Sequence, residues 1–117
     1  LALIYAVMWA TPDFDRVTLR RLAWVNKRPK FASDYHMLAK NFAEADLWAT
    51  AILHWQYAVS RAPTQAVYMI HLGRAYQHLG FSERSRDILQ TALKHSKQPE
   101  QQATIQQLLQ NIDQETK

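Results

Sequence analysis

The sequence predicts an all-α protein built of stacked helix pairs, and three observations carry that expectation. The first is internal repetition. Laying residues 32–65 over 66–99 puts Ala32 on Ala66, Leu38 on Leu72, Gln56 on Gln90 and Ala58 on Ala92. Near-matches fill in around them: Ala39/Gly73, Lys40/Arg74, Phe42/Tyr76, Leu47/Phe81, Ala51/Ser85 and Trp55/Leu89. A fixed period of 34 residues is the mark of repeats that bury their apolar faces by stacking on one another. The second is punctuation. Pro29, Pro63 and Pro99 are spaced 34 and 36 apart, and proline ends a helix or occupies its first turn. The third is propensity. Ala, Leu, Gln and Arg are frequent, glycine occurs only twice, and runs of β-branched residues are absent, which favours helix throughout.

Each element follows from spacing. Leu1–Ala10 is an uncharged run that reads as a buried helix, with Asp13–Lys27 as its partner. Extending the period backward places Val17, Trp24 and Pro29 where Ala51, Ala58 and Pro63 fall, but sets Arg21 against Trp55 and Leu89. Residues 1–31 are therefore expected to form a degenerate first pair. Ser33–Glu44 carries Tyr35, Leu38, Ala39 and Phe42 at helical spacing, and Leu47–Arg61 carries Trp48, Ala51, Ile52, Trp55, Ala58 and Val59. Residues 32–65 thus form one repeat. In the next, residues 66–99, Thr64–Leu79 presents Met69, Leu72, Gly73 and Tyr76 on one face. Gly80 is a C-cap candidate, Ser82 an N-cap candidate, and Glu83–Ser96 turns Ile88, Leu89, Ala92 and Leu93 inward. Residues 100–117 then supply a Gln-rich capping helix with an apolar stripe of Ala103, Ile105, Leu108, Leu109 and Ile112. A terminal repeat element needs such a polar outer face.

Size and composition bound the function. A chain of 117 residues, 48% hydrophobic, with four Trp, five Tyr and four Phe, is one domain or part of one and can bury a core. The absence of cysteine excludes disulfides and thiolate metal sites and fits a reducing compartment, so a cytoplasmic location is expected. The formal net charge of +4 is uneven: residues 1–40 hold seven Lys/Arg against three Asp, and residues 41–117 hold seven of each sign. The excess is the segment Arg16, Arg20, Arg21, Lys27, Arg28 and Lys30. Asp13 and Asp15 dilute it, so a solvated helix face is the plainer reading and nucleic acid is not an expected partner.

With these positions in place, the sequence resembles the tetratricopeptide repeat, a 34-residue helix–turn–helix. In residues 32–65 the resemblance rests on Tyr35, Leu38, Ala39, Phe42, Ala51, Trp55, Ala58 and Pro63. In residues 66–99 it rests on Met69, Leu72, Gly73, Tyr76, Ser85, Leu89 and Ala92. Tyr35 and Met69 replace the family's tryptophan, and Lys97 stands where its terminal proline falls, with Pro99 two residues on. The resemblance implies a right-handed α-α superhelix of about three helix pairs plus the C-terminal capping helix. It implies a concave groove lined by the first helix of each pair, and a role in holding a protein partner or peptide. The groove positions carried over are His36, Lys40, Asn41, Ala43 and Glu44, then Ile70, Arg74, Ala75, Gln77 and His78. Lys40 and Arg74 share a repeat position, and two cations one repeat apart suit an acidic peptide. The family's carboxylate-clamp residue set is not reproduced.

Other chemistry finds little support. His71 and His78 are seven apart, whereas helical zinc sites favour three or four with further ligands near, so no metal and no cofactor is expected. No Gly-x-Ser-x-Gly, phosphate loop or cysteine nucleophile occurs, and an enzyme is not expected. Two alternatives to a free-standing scaffold stay open. Ten apolar residues cannot span a bilayer that needs about 20, but Leu1–Ala10 could be the end of a membrane tether beginning before Leu1. The basic segment would then set the domain on the cytoplasmic side, as in the anchored repeats of bacterial envelope and export complexes. The other is self-association through exposed aromatics such as Tyr5 and Trp9.

Overall fold

The computed structural model describes residues 30–115. They form five helices: α1 (Ala32–Glu44), α2 (Trp48–Arg61), α3 (Ala66–His78), α4 (Ser82–His95) and α5 (Pro99–Glu115). No strand occurs among the described residues, so this part of the chain is all-α. The expected first pair, Leu1–Ala10 and Asp13–Lys27, lies outside them. Most helix boundaries lie within one or two residues of expectation, and two of the differences bear on capping and on the start of α3. Ser82 is the first helical residue of α4, with Phe81 in the cap position, and α3 begins at Ala66 rather than Thr64. Pro99 opens α5, where its missing N–H leaves no intrahelical bond unmade.

The sequence period is written into the backbone. After α1, the Asp46 N–H donates to the Ala43 carbonyl at 3.0 Å and the Leu47 N–H to that of Phe42 at 2.9 Å. After α3, the Gly80 N–H donates to the Gln77 carbonyl at 3.0 Å and the Phe81 N–H to that of Tyr76 at 2.9 Å. Each bond is displaced from its counterpart by one repeat. The residue at the bend is left-handed both times, Asp46 at φ 64° and Gly80 at φ 84°. This pair of bonds around a left-handed residue is the Schellman helix stop, which satisfies the last free carbonyls and turns the chain. The apolar contact that accompanies such a stop is visible after α3, where Tyr76 and Phe81 meet edge to face at 6.4 Å.

Packing runs from each helix to the next, α1 on α2, α2 on α3, α3 on α4 and α4 on α5, with α3 also touching α5. Two apolar clusters result. Ala39, Ala51, Ile52, Trp55, Leu72, Ala75 and Tyr76 join α1, α2 and α3. Ala66, Met69, Ile70, Leu89, Ala92, Ile105 and Ile112 join α3, α4 and α5. Val59 and Ile88 pack against both. Small residues mark the close crossings. A Cβ on Gly73 would lie 2.7 Å from Leu89, and the buried Ser85 hydroxyl donates to the Gly73 carbonyl at 2.7 Å. Of the expected α5 stripe, Ile105 and Ile112 are buried, Leu108 and Leu109 half-buried, and Ala103 faces solvent. Arg86 pairs with Asp113 at 3.0 Å between α4 and α5; exposed as it is, this pair adds little to stability.

Candidate partner-binding surface

Trp55 organises the surface where α1, α2 and α3 meet. It takes the repeat position that Leu89 fills in the next pair, is only 3% exposed, and so brings a buried N–H that needs an acceptor. Its Nε1–H donates to Nδ1 of His36 on α1 at 3.0 Å. That bond assigns the neutral tautomer with the His36 proton on Nε2. From α3, His71 lies nearly parallel to the Trp55 ring, 15° off, with centroids 5.6 Å apart. The His36 and His71 rings are 4.9 Å apart, and Tyr68 lies 5.1 Å from His36.

Among the described residues, the groups that act electrostatically on this aromatic cluster are basic. Burial pushes His71 down to about 4, reinforced by His36, Arg74 and Lys40. Burial, then Lys40, also holds His36 below its ordinary value. Both imidazoles are therefore neutral at pH 7, flanked by the exposed cations Lys40 and Arg74.

The other expected groove residues separate. Ile70 is corrected from groove to core: it is 7% exposed and packed in the cluster with Ile105 and Ile112, because α5 occupies that side of α3. Ala75 is likewise wholly buried, and Ala43 packs against the first cluster. Gln77 donates to Glu115 of α5 at 3.4 Å. His78 stacks on Trp48 at 4.1 Å, and the Trp48 indole N–H reaches Asp46 at 2.8 Å, which forms a second aromatic site beside the α1–α2 turn. Asn41 is half-buried and Glu44 exposed at the end of α1. His36, Lys40 and Arg74 are the expected residues that come together.

His71, Trp55 and Tyr68 are the members that sequence reasoning missed. His71 sits 35 residues after His36, one beyond a full period, so the register hides the pairing. The available signal was Trp55: a tryptophan at a crossing position needs an acceptor, and His36 is on the facing helix. Among the described residues no cluster of three or more His, Cys, Asp or Glu could hold a metal. No described helix is long and apolar enough to cross a membrane. Tyr5, Trp9 and Arg16–Arg28, on which the tether and self-association alternatives turn, lie outside the described residues. Scans of the chain against protein-family models and against curated proteins return no match.

Proposed function

We propose that the chain is a non-enzymatic interaction module of the tetratricopeptide type, a right-handed superhelix that holds an acidic segment of a protein partner against α1 and α3. The observation that carries this reading is the arrangement of Lys40 and Arg74. They are exposed, one period apart on successive first helices, and both act on the half-buried His71. Two cations fixed by a packed scaffold attract carboxylates and set their register, with less ordering entropy lost than on a mobile loop. The duplicated helix stop supports the repeat assignment, since it places Lys40 and Arg74 at equivalent points of equivalent hairpins.

The test is the double variant Lys40→Glu with Arg74→Glu, titrated with a hexa-aspartate peptide. Binding is expected to vanish. Thermal stability should stay near wild type, because exposed substitutions usually change it by no more than about 0.5 kcal/mol. Retained binding removes the assignment of this surface.

A further inference from the structure

The two imidazoles beside Trp55 differ in what they can do with a proton. His36 already has its Nδ1 lone pair engaged by the buried indole N–H. Protonating that nitrogen would set donor against donor and strand the Trp55 N–H, whose burial then goes uncompensated. Its Nε2–H remains a donor that a carboxylate can accept from without any change of charge. His71 is unlike it. Its ring lies flat along Trp55, and an indole face stabilises a cation placed against it. What opposes a charge on His71 is burial and the company it keeps: His36 and Lys40 from α1 and Arg74 from its own helix. α2 contributes Trp55, which carries no charge, and the neighbouring Tyr68 ring lies against His36. Among the described residues the groups that oppose a charge on His71 are basic, and an arriving carboxylate offsets them.

Resting on the acidic-peptide reading of this face, we propose that His71 takes up a proton when a partner carboxylate docks beside Lys40, His36 and Arg74, so that binding tightens as the pH falls below neutrality. The sign follows from linkage. A ligand that makes the protein hold a proton more firmly is itself held more firmly where that proton is available, and the two effects are equal. Aspartate side chains, with an ordinary value of about 3.9, stay ionised throughout the relevant range, so the peptide is not what titrates.

Calorimetric titration of the full chain with hexa-aspartate, at fixed ionic strength, tests this. Between pH 7.5 and pH 5.5 the Kd is expected to fall about tenfold, as uptake of one proton allows. Repeating the titration at pH 6 in buffers of different ionisation enthalpy should report up to one proton absorbed. His71→Gln should lose the pH dependence, whatever its affinity at pH 7.5. An NMR titration of the His71 imidazole, which needs no variant, should move upward from about 4 when peptide is added. A pH-independent Kd without proton uptake overturns the proposal and leaves the acidic-peptide reading standing. Absence of binding at both pH values overturns both. A slope that persists in His71→Gln, or an imidazole titration that peptide does not move, removes His71 from the role.

Discussion

The hairpins α1–α2 and α3–α4 share one backbone and fill it differently. Their helix stops repeat bond for bond, yet the second helix crosses the first with Trp55 beside Ala39 in one pair and Leu89 against Gly73 in the other. The bend is made by Asp46 in one and Gly80 in the other. At Ala51/Ser85 the second pair gains a hydroxyl bonded to the Gly73 carbonyl. The repeat therefore constrains where backbone bonds and crossings fall, while side chains trade volume within those limits. The candidate site arises where the pairs differ: only the larger Trp55 brings the buried donor that fixes His36 and the flat face that receives His71.

Giving the first pair the residue of the second is the strongest way to break this comparison. Trp55→Leu deletes most of an indole from a site 3% exposed. It should cost about 2–4 kcal/mol, within the range of large-to-small core substitutions. Urea denaturation reads that loss. The same variant frees His36 Nδ1 and lessens its burial, so His36 should titrate closer to its ordinary value, by NMR. A His36 titration unchanged from wild type would separate Trp55 from control of that imidazole.

The helices and most of the core were legible because a 34-residue period samples the buried positions twice. Leu38, Ala39, Ala51, Trp55, Ala58, Leu72, Leu89 and Ala92 are all buried as their spacing implies. Part of the groove reading fails where the period ends. The period sets Ile70 and Gln77 on an open face by analogy with His36 and Ala43. In the last pair that side is covered, since Ile70 packs with Ile105 and Ile112, and Gln77 meets Glu115. A repeat pattern describes neighbours that are repeats, and α5 is a different kind of neighbour. The His36–His71 pairing was hidden for a related reason, being formed across the stack one residue out of register. The cations Lys40 and Arg74, by contrast, lie in register, so the period itself pairs them.

A smaller perturbation sharpens the trade in volume. Gly73→Ala adds a Cβ that would lie 2.7 Å from both Cγ and Cδ2 of Leu89. Alanine gains about 1 kcal/mol of helix propensity over glycine. Overpacking a fixed crossing costs about 1–3 kcal/mol, and Leu89, wholly buried, has little room to yield. Net destabilisation of about 1 kcal/mol is expected from these opposing terms. The double variant Gly73→Ala with Leu89→Ala should show strong non-additivity in urea titrations, the added methyl costing less once the leucine is gone. Simple additivity would mean that the crossing does not set the glycine.

The smallest effects are expected at the bends, where they are also the cleanest. A Cβ at Gly80 would have nothing within 4 Å, so Gly80→Ala tests the left-handed backbone alone, free of any clash. At φ 84° an L side chain costs about 1 kcal/mol, which lowers Tm by roughly 4–8 °C in a domain of this size. Asp46→Gly is the reverse exchange in the other hairpin. It removes the left-handed penalty at φ 64° but also the Asp46 bond to the Trp48 indole. An exposed hydrogen bond of this kind contributes about 0.5–1 kcal/mol, so gain and loss nearly cancel and Tm should move by less than about 3 °C. Scanning calorimetry on the two variants reads the difference directly. Equal and large losses at both bends would show that the aspartate does more than turn the chain. A Gly80→Ala variant as stable as wild type would show that the second stop does not need its glycine.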